Sequence, residues 1–275
     1  MGPHPTPEAA MELFVRVPAR LPLLIDVPHA GTYVPDAIAA RLQPAARCLP
    51  DTDWHVEKLY AFAAELGAGL FFATHSRYVV DLNRNPDGVA LYPGADNTEL
   101  CPLRTFDNQP IYLPGQEPDA SERAARCERY FRPYHAALSA DLAALRERFG
   151  YVILLDGHSI RAEVPRFFAG RLPDLNLGTA DGTSCADRVA AAAWEALGGD
   201  PGLSRIHNGR FKGGYVTREY GRPAQGSHAL QLEMAQSCYM DEDQPTPFSP
   251  ARAERLAAVL RRLVMTLLRT PPSAP

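Results

Sequence analysis

Two histidines and a glutamate follow three apolar runs far apart in the chain. Leu23-Leu24-Ile25-Asp26-Val27-Pro28 leads to His29, Tyr151-Val152-Ile153-Leu154-Leu155 leads to Asp156-Gly157-His158, and Ala229-Leu230-Gln231-Leu232 leads to Glu233. Imidazole nitrogens and carboxylate oxygens are the donors that a catalytic zinc ion takes from proteins, with one position left for water. A second carboxylate beside that water can act as general base. Pro28 and Gly31 favour a turn around His29, and Gly157 lets backbone pass close to a ligand at His158. Asp156, two residues before His158, either orients the imidazole through its other nitrogen or ligates directly. The combination predicts a mononuclear zinc site with His29 and His158 as ligands.

The third ligand is open between two carboxylates. Asp51-Thr52-Asp53-Trp54 precedes a helical pattern, where an aspartate has a structural use as N-cap. Asp53 is the preferred ligand, with Asp51 as the cap, and His55 reads as exposed on the helix. Glu233 sits in apolar company, where a carboxylate must be paired, hydrogen-bonded or partly protonated, conditions that suit a base. The plainer reading of Glu233 is an ion pair with one of the arginines between Arg205 and Arg222. Arg77 and Asn83-Arg84 are a further group, since a guanidinium grips a carboxylate bidentately or steadies an oxyanion. Either arginine alone is equally compatible with capping loop carbonyls.

The elements that must position these residues alternate. Leu21 to Val27, Gly69 to Thr74, Tyr78 to Leu82, Tyr151 to Leu155 and Ala229 to Glu233 read as strands, with Phe167-Phe168-Ala169 a short candidate. Helical spacing covers Asp53 to Leu66 (closed by Gly67), Ser121 to Phe149 (interrupted by Pro133), Ser184 to Leu197 and Pro250 to Leu268. Asn83 to Gln116 is loop-rich, and so long an irregular stretch is more often functional than idle. Gly2 to Glu8 and Thr270 to Pro275, rich in proline and small residues, are expected to fray. Strands separated by helices predict a mixed, mainly parallel sheet covered on both faces, within one domain over 10–270.

Composition excludes several classes. The 275 residues are 46% hydrophobic and 22% charged, with a formal net charge of -4, so no general nucleic-acid surface is expected. Arg205, Arg210, Lys212, Arg218 and Arg222 nevertheless form a basic segment with Glu219 alone against them, which suits a small anionic ligand or a solvated loop. Five scattered cysteines without a Cys-x-x-Cys pair point to a reducing cytoplasm rather than to disulfides. No signal-peptide pattern and no membrane-spanning run are read. There is no Gly-x-Ser-x-Gly elbow, Walker A loop or Gly-x-Gly-x-x-Gly, so metal-assisted hydrolysis ranks above serine chemistry and nucleotide enzymes.

Val-Pro-His-Ala-Gly-Thr-Tyr-Val-Pro (27–35), Asp-Thr-Asp-Trp-His-Val-Glu-Lys-Leu-Tyr (51–60), Ser-Arg-Tyr-Val-Val-Asp-Leu-Asn-Arg-Asn-Pro (76–86), Asp-Gly-His-Ser (156–159) and Leu-Gln-Leu-Glu-Met (230–234) together resemble the N-formylglutamate amidohydrolase family. The resemblance implies hydrolysis of N-formyl-L-glutamate to formate and L-glutamate in histidine degradation. It also implies a zinc-carboxypeptidase-like, three-layer α/β/α fold, shared with aspartoacylase. By that analogy Asn83 and Arg84 serve the active site and Glu233 takes the catalytic glutamate's place. One departure stands out: the carboxypeptidase pattern has a glutamate three residues after its first zinc histidine, and here that position is Thr32. This supports Asp53 as the third ligand. A substrate with two carboxylates needs cationic partners; Arg84, Arg77 and, at the distal end, Arg218 ahead of Arg210 or Arg222 are the expected ones. The competing readings are a related zinc deacylase or carboxypeptidase-like hydrolase, and a metal-free dicarboxylate-binding protein.

Overall fold

The three apolar runs become neighbouring strands at the centre of one sheet. The structure is a computed structural model that describes residues 11–91, 94 and 96–272. Its strands are β1 (Phe14–Val17), β2 (Leu23–Val27), β3 (Gly69–Ala73), β4 (Val152–Ile160), β5 (Leu175–Gly178), β6 (Arg205–His207) and β7 (Ser227–Ala235), in the order β1-β3-β2-β4-β7-β5-β6. The β2–β3, β2–β4, β4–β7 and β5–β6 pairs are parallel, and β1–β3 and β5–β7 are antiparallel. The sheet is therefore mixed and mainly parallel, as the alternation of elements predicts.

Helices cover both faces. The helices are α1 (Asp36–Ala39), α2 (Val56–Leu59), α3 (Ala120–Arg126), α4 (Arg132–Phe149), α5 (Asp187–Leu197), α6 (Tyr215–Tyr220) and α7 (Pro250–Leu268). On one face Leu23, Ile25, Ile153, Leu155, Leu230 and Leu232 share a core with Val189 and Ala193 of α5 and Leu256, Leu260 and Leu263 of α7. On the other, Leu24, Val152, Leu154 and Ala229 share a core with Leu138, Leu142 and Leu145 of α4. Each of these valine, leucine and isoleucine side chains contributes about 1.5–3 kcal/mol when fully removed from water. The period of two then puts Asp26, Asp156, His158, Gln231 and Glu233 on this second face, further along the same strands. Half-way along its length the face changes from apolar to polar, and the candidate site begins there.

Several local expectations are corrected. The helix read over Asp53–Leu66 is α2 followed by a 3₁₀ turn at Ala61–Ala64, because His55 is left-handed (φ 65°) and the helix starts only after it. Gly67, at φ 94°, does close the segment. Tyr78 to Leu82 is a turn rather than a strand: Val79 N–H donates to Ser76 O, and the apolar side chains pack directly into the second core. Phe167-Phe168 is likewise a turn, with both N–H groups on Val164 O. The helix read from Ser121 begins at Ala120 behind an Asp119 cap and absorbs Pro133 through a π-helical segment at Cys127–Phe131. The helix read from Ser184 begins at Asp187, while the one read over Pro250–Leu268 matches α7. Strands β1, β5 and β6 were not foreseen; at three or four residues they are too short for a periodic signal. Asn83 to Gln116 carries no helix or strand among its described residues, only isolated bridges. Of the ends expected to fray, Gly2 to Glu8 and residues 273–275 lie outside the described residues. Among the described residues no helix is long and apolar enough to cross a membrane, and all five cysteines are free thiols.

Candidate functional site

His29 follows directly on β2 and its turn, His158 projects from β4, and Asp53 enters from the segment before α2. Their ligand atoms all lie within 4.8 Å of one another, and all three side chains are buried. Asp53 Oδ2 is 2.9 Å from His158 Nδ1 and 3.7 Å from His29 Nδ1. Both Nδ1 atoms thus face one carboxylate oxygen. Burial alone would raise the Asp53 carboxyl, yet its contacts with His158 and His29 hold it well below the usual range.

The outward nitrogens face further carboxylates. His29 Nε2 is 2.7 Å from Asp81 Oδ1, and Arg77 holds the other oxygen of Asp81 at 2.6 Å. His158 Nε2 is 2.7 Å from Asp156 Oδ1, an ionic contact, since that buried oxygen makes no regular hydrogen bond. Asn83 Nδ2 lies 2.8 Å from the same ring nitrogen and donates to Asp156 Oδ2 at 3.4 Å. Desolvation would lower His158, but Asp156 and Asp53 bring it well above its ordinary value. Desolvation is also overridden at Asp81, which Arg77 and His29 hold well below the carboxylate range. A histidine with one nitrogen turned to a shared centre and the other to a buried carboxylate is the arrangement that fixes the tautomer of a metal ligand.

Asn83 is held in turn by backbone. Val216 N–H donates to its Oδ1 at 2.8 Å, and Gly214 N–H donates to Gln231 Oε1 at 2.7 Å. A side chain at Gly214 would meet Asn83 at 2.4 Å, so only glycine lets the start of α6 come this close.

Glu233, opposite His158 in the β4–β7 register, is buried with Gln231 Nε2 as its neighbour at 3.4 Å. Burial pushes it up to about 8; the His158 charge opposes this and the Asp53 charge reinforces it. It lines a cleft together with His29, Asp53, His158, Arg77, Asn83 and Arg84. Arg77 is buried against Asp81 and Asp53 with its guanidinium 4.8 Å from the Phe106 ring centre. Arg84 donates from Nε to Thr98 Oγ1 at 2.8 Å and from a terminal nitrogen to Asn83 O.

The structure separates the two aspartates of the 51–53 segment. Asp51 is not a helix cap: it accepts from Tyr78 Oη at 2.8 Å and Phe106 N at 3.1 Å, and burial pushes it up to about 6 against those bonds. His55 is buried rather than exposed, its Nε2 2.7 Å from Pro245 O. The basic segment also resolves. Arg218 is exposed, with Nε on Gly213 O at 3.0 Å, and lies outside the residues that line the cleft; Arg210 is on the wall instead. Sequence reading missed Asp81 as the partner of His29, although it stands in the Asp-Leu-Asn-Arg segment, and gave no signal for Phe106, Phe167 and Phe211 on the wall.

The donor set fits a divalent metal: two imidazoles and one carboxylate, mutually within ligand range, each imidazole backed by a further carboxylate.

The chain is 47% identical to the N-formylglutamate deformylase of Pseudomonas putida over 90% of its own length and 93% of that protein's. It is 49% identical to the N-formylglutamate deformylase of Pseudomonas aeruginosa, with the same coverage. The crystal structure of N-formylglutamate amidohydrolase from Ralstonia eutropha superposes with a TM-score of 0.76 at 29% identity, covering 94% of this chain and 96% of that one. A gene product of Agrobacterium tumefaciens, at 19% identity and a TM-score of 0.71, shares the fold over 94% and 95% of the two chains. The model of the N-formylglutamate amidohydrolase family matches residues 21–240, a span that holds every site residue from His29 to Glu233, and the chain belongs to that family.

Proposed function

We propose that this protein hydrolyses N-formyl-L-glutamate to formate and L-glutamate, with a zinc ion held by His29, Asp53 and His158. The observation that carries the reading is the convergence of this triad with a buried Glu233 in an arginine-lined cleft, beside the activity named for the two Pseudomonas relatives. The zinc ion would supply Lewis-acid polarisation of the formyl carbonyl and acidify a bound water to near neutral pH.

The chain's own residues do the rest. For Nδ1 of His29 to offer a lone pair, the ring proton sits on Nε2, where Asp81 Oδ1 accepts the hydrogen bond; at His158 the Asp156 carboxylate stands 2.7 Å from Nε2 as the neighbouring negative charge. Glu233 accepts a proton from the attacking water and returns it to the departing amine of glutamate. A carboxyl brought up towards neutrality by burial is matched to both halves of that task. Arg84 steadies the negative charge that develops on the formyl oxygen, and Asn83 and Arg77 help to place the substrate. Five free thiols favour a cytoplasmic setting, and hydrolysis of N-formyl-L-glutamate would suit a step in histidine degradation.

The test is formate release from N-formyl-L-glutamate, measured beside acetate release from N-acetyl-L-glutamate, before and after chelation. The reading expects formate release to dominate, to vanish with chelator and to return with added zinc. Preferential acetate release would make the protein a different deacylase, and chelator-resistant turnover would remove the metal from the reaction.

A further inference from the structure

Asp53 is the member of the triad that no strand carries. His29 and His158 have the ladder of β2 and β4 behind them, whereas Asp53 stands in the segment before α2, two residues from the left-handed His55. Its own N–H donates to His29 O at 3.1 Å. The carbonyls on either side of it, Thr52 O and Trp54 O, take their donors from far along the chain.

Both donors come from the turn that follows β7. Gln236 Nε2 donates to Thr52 O at 2.9 Å and Tyr239 Oη to Trp54 O at 2.7 Å. The same two side chains meet at Ser159, whose Oγ is 3.3 Å from Gln236 Nε2 and 2.7 Å from Tyr239 Oη. Tyr239 has a single hydroxyl proton and Trp54 O can only accept, so Ser159 supplies the proton between the two hydroxyls. The bonds then run in one direction, from the Gln236 amide through the Ser159 and Tyr239 hydroxyls to Trp54 O. Bonds in such a chain strengthen one another. Ser159 closes the ring on the carboxylate itself, its N–H donating to Asp53 Oδ2 at 3.2 Å. Thr52, Asp53, Ser159, Gln236 and Tyr239 are each at most 3% exposed, so bulk water does not compete for these bonds.

A ligand fixed on both flanks loses little further freedom when a metal arrives. Resting on the zinc site proposed above, we infer that Gln236 and Tyr239 are positioning residues for the metal centre. They act through Thr52, Trp54 and Ser159 to set the Asp53 carboxylate between the two imidazoles. The turn that carries them follows directly on the strand that carries Glu233, so one element sets both the third ligand and the base.

The test measures zinc affinity of the metal-stripped protein by competition with a chromophoric chelator, and the visible spectrum of the cobalt-substituted protein. It compares Y239F, Q236L and the double variant with the unaltered chain. V264A, which opens a small cavity in the core under α7, is the control for lost stability alone. Y239F and Q236L should each raise the zinc dissociation constant by about 10–100-fold and alter the cobalt bands. The double variant should lose less than the product of the two, because both side chains act through one chain of bonds. V264A should lower the urea midpoint and leave affinity and spectrum as they are. Q236L decides the matter if Y239F does not fold, and S159A, which removes only the shared hydroxyl, decides it if neither does. Affinity and spectrum unchanged in the folded variants, or moved no more than in V264A, overturn the assignment. Unaltered protein that takes up no zinc fails the proposed metal site and this assignment with it; normal uptake with indifferent variants fails the assignment alone.

Discussion

At the triad end of the cleft, His158 and Glu233 sit on two central parallel strands, His29 on the turn directly after a third and Asp53 on the segment before α2, all buried. On the rest of the wall, Phe106, Phe167, Arg210 and Phe211 come from connections between elements. The first region is held mainly by strand hydrogen bonds that run the length of β4 and β7, the second by single side-chain ties such as Arg210 to Phe167 O and Arg166 to Asp96. The contrast separates two demands. Chemistry needs atoms fixed to within about half an ångström, which strands supply; selectivity among substrates needs a wall that can be rebuilt without disturbing them.

Mutations should divide along the same line. The largest effect is expected at Asp53, the single carboxylate between the two imidazoles. Asp53→Ala should remove stoichiometric zinc, measured by atomic absorption, and lower formate release by about 10⁴-fold. A zinc-replete, active variant would move the third ligand elsewhere. Next comes Glu233→Gln, which keeps shape and removes the base: zinc should stay bound while kcat falls by about 10²–10⁴-fold. Near-normal turnover with zinc in place would leave Glu233 a structural partner only.

A smaller effect, read as stability, tests what supports the triad end from below. His135 of α4 has Nε2 2.9 Å from Leu82 O, between Asp81 and Asn83, and Nδ1 2.9 Å from Tyr220 Oη. Burial brings it down to about 4 against the pull of Leu82 O. The neutral form is favoured by the fold, so the unfolded chain binds a proton first as the pH falls. Stability should be full above about pH 6.5 and fall by about 3 kcal/mol on the way to pH 4. Urea midpoints against pH should show this slope, and His135→Gln should flatten it; an unchanged slope would put the acid sensitivity elsewhere. The smallest effect is expected at Arg218, on the far side of the comparison. Arg218→Ala should leave kcat and KM within about twofold, and a clear rise in KM would return that arginine to substrate binding.

The same contrast governs what the sequence made readable. Leu23 to Val27, Gly69 to Thr74 and Ala229 to Glu233 announced strands because buried parallel strands are continuous apolar runs. The functional residues at their ends stood out as polar interruptions of that pattern. Apolar content misled at Tyr78 to Leu82 and Phe167-Phe168, where buried side chains hang from turns whose backbone is satisfied locally. His55 and Asp51 were misplaced because a left-handed residue before α2 turns the chain inward, and nothing in Asp-Thr-Asp-Trp-His encodes that choice. Arg210 and Arg218 are indistinguishable by composition. Which one faces the cleft depends on where the short strand β6 ends and α6 begins, a boundary too brief to leave a periodic trace.

The pairing of His158 with Glu233 across β4 and β7 has a consequence for how this family can vary. Because strand residues alternate between faces, sliding β7 by one position would send Glu233 into the opposite core, and sliding it by two would carry it about 6.6 Å along the sheet. No gradual adjustment of the separation between ligand and base is available in between. Relatives that keep this pair of strands inherit the spacing as a discrete quantity, like the tooth of a gear, and drift in substrate preference has to arise in the loops that meet it.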